Sequence, residues 1–107
     1  DNRLAFIIQY IREHLHESLS VETLSKKACM SESNFYRVFK NELGISPVDF
    51  INTERIKLAV SLLQDPNKKI KNVYLECGFE SRSYLNRVFK RMNQISPGAF
   101  QAKAAQH

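Results

Sequence analysis

Six side chains in this sequence are equipped to read the edge of a nucleic-acid base or hold its backbone. They are Arg37, Lys40, Arg82, Asn86, Arg87 and Lys90. Arginine can donate two bonds to guanine O6 and N7, and asparagine can make a matching pair with adenine N6 and N7. Lysine, a point charge, suits a phosphate oxygen. Their spacing makes this chemistry usable. Ser33, Tyr36, Arg37 and Lys40 sit at offsets of 0, 3, 4 and 7, which is one face of a helix. Arg82, Ser83, Asn86, Arg87 and Lys90 occupy the corresponding face of a second helix.

Those two helices are copies. The stretch SESNFYRVFKNELGISPVDF begins at Ser31, and SRSYLNRVFKRMNQISPGAF begins fifty positions later at Ser81. Ten of the twenty residues are identical, among them Arg37/Arg87, Phe39/Phe89, Lys40/Lys90 and both Ile-Ser-Pro triplets. Upstream the match continues at a spacing of 49: Leu24, Ala28 and Met30 pair with Val73, Cys77 and Phe79. The second copy therefore carries one extra residue in its turn, the change a helical pair tolerates best.

The elements that position these faces follow from the apolar period, which is 3.6 almost throughout. A first helix over about residues 3–17 buries Leu4, Ile7, Ile8, Ile11 and Leu15. Ser20 caps a short second helix with Val21, Leu24 and Ala28 inward. Ser31 caps the third, which buries Phe35, Val38, Phe39 and Leu43, and Gly44 supplies a left-handed end. Ser46 and Pro47 open a fourth helix that runs to about Leu63, with Asp49 in its first turn. A short fifth helix holds Ile70, Val73 and Cys77 and stops at Gly78. Ser81 caps a sixth, with Leu85, Val88, Phe89 and Met92 inward, and Ser96-Pro97 starts a seventh. The expected fold is all-α: seven helices, two helix-turn-helix subdomains joined by a long central helix.

Short helix, tight turn and longer helix form the helix-turn-helix pattern. The first unit is expected over about residues 4–45, the linking helix over about 47–64, and the second unit over about 68–104. Sixteen linking residues, 48 to 63, span roughly 24 Å at about 1.5 Å per residue. Neighbouring major-groove segments lie about 34 Å apart. With the width of the flanking helices added, the two longer helices can enter adjacent grooves on one side of a duplex. The readers differ, so the site they select should be asymmetric, and a closer spacing than straight DNA prefers would require a bend.

The segment GFESRSYLNRVFKRMNQISPGAF, from Gly78 to Phe100, resembles the signature of the AraC/XylS family of bacterial transcription regulators. LSKKACMSESNFYRVFKNELGISPVDFI resembles that family's first helix-turn-helix, and RIKLAVSLL its connecting helix, with Arg55, Ala59 and Leu63 in place. The resemblance spans about residues 4–102. It implies a cytoplasmic DNA-binding output domain that activates or represses transcription, with double-stranded DNA and RNA polymerase as partners and no cofactor. By matching position it implies base contacts at Ser33, Tyr36 and Arg37 and at Arg82, Ser83, Asn86 and Arg87, the faces already chosen by spacing. It also implies a monomeric domain attached to a sensing or dimerising one. This agrees with a chain that opens in polar residues without an initiator Met and reads as a fragment of a longer regulator. Five positions depart from the pattern: Cys29 and Gln94 stand where Gly is common, Ser25 and Tyr74 where Ala is usual, and Leu85 where Phe is frequent.

Composition agrees and narrows the alternatives. A net charge of +5 and a pI near 9.4 suit a polyanionic partner. Cys29 and Cys77 have no Cys or His partner at zinc-finger spacing and read as reduced, buried thiols. His14 and His16 are two apart and diverge on a helix, so they are not a metal pair. Lys68, Lys69 and Lys71 read as a solvated loop, and Arg55 as a bridge to acidic or backbone acceptors rather than to DNA. Tyr10 and Tyr84 belong at the core boundary, and Met30 and Phe79 inside it. The first helix carries Arg3, Arg12, Glu13 and Glu17, too balanced for a membrane-surface helix. No nucleophile–base pair, phosphate loop or carboxylate pair marks an active site, and the chain reads as no enzyme. A helical module docking an acidic protein is the other function class, and it would bind no duplex better than random DNA.

Overall fold

The computed structural model describes residues 1–106. Among them are seven α-helices and no strand: α1 (Asn2–Glu13), α2 (Val21–Lys27), α3 (Glu32–Leu43), α4 (Pro47–Leu63), α5 (Val73–Cys77), α6 (Arg82–Asn93) and α7 (Pro97–Ala104). A single 3-10 turn, Ile70–Asn72, leads into α5. Serine starts most of these helices. The Oγ atoms of Ser20, Ser31, Ser46, Ser81 and Ser96 accept from the N–H three residues on, at 3.0 to 3.2 Å. Each such cap stabilises its helix by about 1 kcal/mol.

The first helix is shorter than its apolar stripe suggests. It ends at Glu13, not near residue 17, and His14 leaves the helical region at φ −130° and ψ 30°. The histidine itself causes the break. Its Nδ1 lies 2.7 Å from the Tyr10 carbonyl oxygen, the acceptor its own backbone N–H would have used. A carbonyl only accepts, so Nδ1 carries the proton. The His14 N–H turns to Ile11 instead, and the imidazole stacks on the Tyr10 ring with centroids 4.0 Å apart. A side chain has displaced a backbone bond. Leu15, now outside the helix, still packs against the core.

The chain forms two compact units, Asp1–Glu54 and the residues from Arg55 on. The first unit buries Leu4, Ile7, Ile11, Leu24, Ala28, Phe35, Phe39, Phe50 and Ile51. The second buries Ile56, Ala59, Leu63, Val73, Cys77, Phe79, Leu85, Val88 and Phe89. The long helix α4 thus gives its first half to one core and its second half to the other. The residues that the two halves bury do not fall on one stripe, so α4 lacks the one-sided pattern of α3 and α6.

The repeat extends to ring geometry. In the first unit Phe39 meets Phe50 edge-on, 5.6 Å apart at 70°, and in the second Phe89 meets Phe100 at 5.7 Å and 71°. The turns repeat too. Cys29 and Gly78 both take left-handed conformations, φ 57° and 89°, and the next residue's N–H reaches back five positions. Met30 bonds the Ser25 carbonyl at 2.9 Å, and Phe79 bonds that of Tyr74 at 3.0 Å. This is a Schellman closure of the short helix. It corrects one expectation. Cys77 is buried, but Cys29 is exposed, because the left-handed turn residue points its side chain away from the core.

The interior also holds polar groups that periodicity assigns to the surface: Ser25, Asn52, Glu54 and Arg55 are all buried. In the first unit Glu54 accepts from Arg12 Nε at 2.7 Å, and the same guanidinium lies 5.7 Å from the Phe50 ring centre. In the second, Arg55 stacks on Phe79 at 6.0 Å. Burial pushes the Arg55 guanidinium below its ordinary pKa range, while Cys77, Tyr84 and Glu80 pull it back up. The expected lysine loop is only partly solvated. Lys69 and Lys71 are exposed, but half-buried Lys68 donates to Glu76 at 2.7 Å, and Gln101 ties the loop by bonding the Asp65 and Lys68 carbonyls.

Candidate nucleic-acid interface

In the first unit, Phe35 and Phe39 are fully buried and fix which way α3 faces. Ser33, Tyr36, Arg37 and Lys40 are all exposed on its other side. Tyr36 shows 43% of its surface, and the Lys40 Nζ lies 5.9 Å from its ring centre. Arg37 does not extend freely, because its Nη2 donates to Asn34 Oδ1 one turn earlier.

In the second unit, Leu85, Val88 and Phe89 are buried and set the face of α6. Arg82, Ser83, Asn86, Arg87 and Lys90 are all exposed. Arg82, Asn86 and Lys90, four residues apart in turn, edge a groove of about 250 Å³ whose other wall is Ser96, Pro97 and Gly98 at the start of α7. Arg87 leans the other way, its guanidinium 5.2 Å from the centre of the Tyr84 ring. Tyr84 is in turn held edge-on by buried Phe79 at 5.8 Å.

All nine residues singled out from the sequence are therefore exposed, four on α3 and five on α6. Each set is displayed by a helix capped at its start and packed along its back. Exposed guanidinium, amide and hydroxyl groups on a rigid helix can bond base edges or phosphates. Two further residues belong to the arrangement and were not among the nine: Asn34 and Tyr84, the partners of the two arginines. The i, i+3 spacing to Arg37 and Arg87 was the available signal. Among the described residues, no group of His, Cys, Asp and Glu could hold a metal, and no helix is long and apolar enough to cross a membrane.

Comparison with known proteins agrees with this geometry. Residues 24–103 match the family described as "Helix-turn-helix domain". The chain is 35% identical over 98 residues to the probable transcriptional regulator LumQ of Photobacterium leiognathi, covering 92% of this chain and 40% of that protein. It is 34% identical over 103 residues to the arabinose operon regulatory protein of Escherichia coli K12, covering 95% of this chain and 35% of that one. The chain thus spans well under half the length of these relatives. Among solved structures, it resembles the DNA-binding domain of AdpA in complex with a target DNA, with a TM-score of 0.89 and 36% identity, covering 94% of this chain and 90% of that one. An AraC-type regulator from Chromobacterium violaceum superposes at a TM-score of 0.85 with 27% identity, covering 98% and 94%. Two capped helices with matching exposed faces in a doubled seven-helix frame, matched by family and by structure alike, mean that the chain belongs to the AraC-type helix-turn-helix family.

Proposed function

We propose that this chain binds double-stranded DNA sequence-specifically, as the output domain of a bacterial, cytoplasmic transcription regulator. α3 and α6 are the two readers, entering adjacent major-groove segments of an asymmetric site. Arg37, Arg82, Asn86 and Arg87 read bases, with Ser33, Tyr36 and Ser83 assisting, and Lys40 and Lys90 hold phosphates. The domain binds as a monomer, a further domain of the full-length protein supplies dimerisation, and the bound regulator acts on RNA polymerase.

The observation that carries this reading is the repeated exposed face. Both copies keep an arginine and a lysine at matching positions, Arg37/Arg87 and Lys40/Lys90, over matched buried phenylalanines. A scaffold repeat needs the phenylalanines but not the cations. The similar AdpA domain, which covers nearly the same length, is described in complex with target DNA.

Selection of bound duplexes from a random oligonucleotide pool tests the proposal. Two unlike motifs about one helical turn apart should emerge. A pool with no enrichment at physiological salt would refute specific binding, and a palindromic motif would refute the pairing of two different readers on one site.

A further inference from the structure

Asn34 and Tyr84 are fifty positions apart and hold the same place in their units. Each donates its backbone N–H to a capping serine, Asn34 to Ser31 at 3.2 Å and Tyr84 to Ser81 at 3.1 Å. Each then meets the arginine three residues on. The chemistry of that meeting differs: a hydrogen bond from the Arg37 Nη2 to the Asn34 amide oxygen in one unit, a ring face under the Arg87 guanidinium at 5.2 Å in the other.

The difference matters because a guanidinium has five N–H donors, all in its plane. A ring face under the guanidinium carbon takes up no conventional hydrogen bond from them. A hydrogen bond to Nη2 occupies one. Either contact also restricts a long side chain before it docks, and so reduces the freedom lost on binding. Tyr84 is itself braced by Phe79, which buried Arg55 covers from α4 at 6.0 Å.

We infer that Asn34 and Tyr84 are positioning residues that set how each arginine reads, Tyr84 leaving Arg87 its full fork for two-bond guanine recognition and Asn34 leaving Arg37 with fewer free donors. The inference rests on the DNA-reading proposal above. It makes discrimination sharper at the base pair read by Arg87 than at the one read by Arg37.

The test measures binding of the selected site, of that site with each base pair replaced in turn, and of random DNA. Arg87→Ala identifies the base pair that Arg87 reads, and Arg37→Ala does the same for Arg37. Tyr84→Ala should lose about two- to fivefold of the discrimination at Arg87's base pair, the worth of an exposed cation–π contact. Its affinity for random DNA should stay within about twofold, since phosphate contacts supply that term. Tyr84→Phe keeps a ring face and should retain the discrimination. Tyr84→Leu keeps the apolar contact with Phe79 without a ring face and should lose it, which covers the case of a poorly folded alanine variant. Asn34→Ala should alter only the base pair of Arg37.

The inference is overturned if Tyr84→Leu leaves discrimination intact, if it weakens cognate and random DNA alike, or if Tyr84→Phe fails as Tyr84→Leu does. A wild-type domain that selects no sequence sinks the DNA-reading proposal and this inference together. A domain that selects a site which Arg87→Ala relaxes, while the Tyr84 variants leave it unchanged, sinks this inference alone.

Discussion

Gly44 and Gln94 hold the same left-handed position at the ends of α3 and α6, at φ 79° and 68°, and each N–H bonds a lysine carbonyl at 2.8 Å. The bonds are alike, but the conformational cost is not. Left-handed backbone costs an L-residue roughly 1–2 kcal/mol. Glycine avoids that cost but gives up roughly 0.5–1 kcal/mol of extra chain entropy on folding. Gln94→Gly should therefore stabilise the second unit by about 0.5–1 kcal/mol, and Gly44→Ala should destabilise the first by a similar amount. A methyl group at Gly44 would meet nothing within 4 Å beyond its own chain neighbours, so that cost is conformational rather than steric. Urea midpoints of the three proteins give both values. A lower midpoint for Gln94→Gly would mean that the glutamine side chain, 3.3 Å from the Arg91 carbonyl, outweighs the strain.

The two thiols should behave as opposites. Cys29 is exposed and Cys77 is buried, with burial pushing the Cys77 thiol up to about 12 and the Glu76 carboxylate adding to that push. At pH 8 a thiol reagent should modify Cys29 quickly and Cys77 only after unfolding. The pH dependence follows in sign. The folded protein keeps the Cys77 proton that the unfolded chain loses near its ordinary pKa of 9.0. Stability is then whole below pH 9 and falls as pH rises from about 9 towards 12, by at most about 1.4 kcal/mol per pH unit. Cys77→Ala should flatten that decline when its stability is followed from pH 8 to 11 beside the wild type. Parallel curves would show that other groups set the alkaline limit.

Much of this fold was legible before any coordinates. Ser20, Ser31, Ser46, Ser81 and Ser96 each announce a helix because a capping hydroxyl is a local device, fixed by the three residues after it. The repeat revealed the matching turns, and Gly44 and Gly78 marked two left-handed ends. The nine polar residues were placed outward because phenylalanines one turn away settled the inward side. What the chain hid was non-local or turned on one side chain. Nothing in HLHES says that His14 will take the Tyr10 carbonyl and end α1. Glu54 and Arg55 look like surface residues by period, yet both are buried, because Glu54 pairs with Arg12 inside the first unit and Arg55 lies over Phe79 inside the second. Asn34 and Tyr84 lie three residues before Arg37 and Arg87, but that spacing alone does not say that an amide holds one arginine and a ring the other.

Arg55 should be the costliest of the charged side chains in the second unit to remove. It is 8% exposed, and its guanidinium covers the Phe79 ring. Truncation loses the packing of the stem, uncovers the ring, and removes the positive charge that interacts with Glu80. Arg55→Ala should cost about 2 kcal/mol or more of folding stability. Arg55→Lys keeps a charge but not the planar stack, so it should fall between the two. Denaturant titration followed by circular dichroism measures both. Equal stability of Arg55→Ala and wild type would show that the ring contact and the buried charge contribute nothing net.

Lys40 and Lys90 should differ from the arginines beside them in what salt does to their effect. Both lie exposed at the third turn of their helices, beyond the residues proposed to read bases, and each is a compact charge without the planar fork of arginine. Neutralising a phosphate releases condensed counterions, so each contact adds about 0.9 to the slope of log affinity against log salt. Lys40→Ala and Lys90→Ala should each lower that slope by roughly one, and the double variant by roughly two. Cognate and random duplexes should weaken alike, because a phosphate carries no sequence. The domain's +5 charge makes the comparison necessary, since any loss of cation weakens binding somewhat at low salt through the long-range field. Titrations from about 50 to 200 mM salt separate the two effects: a general field changes affinity most at low salt and fades with screening, whereas a released counterion changes the slope throughout. A slope unchanged in Lys40→Ala would remove that lysine from the DNA contact, and a loss confined to the cognate site would make it a base reader instead.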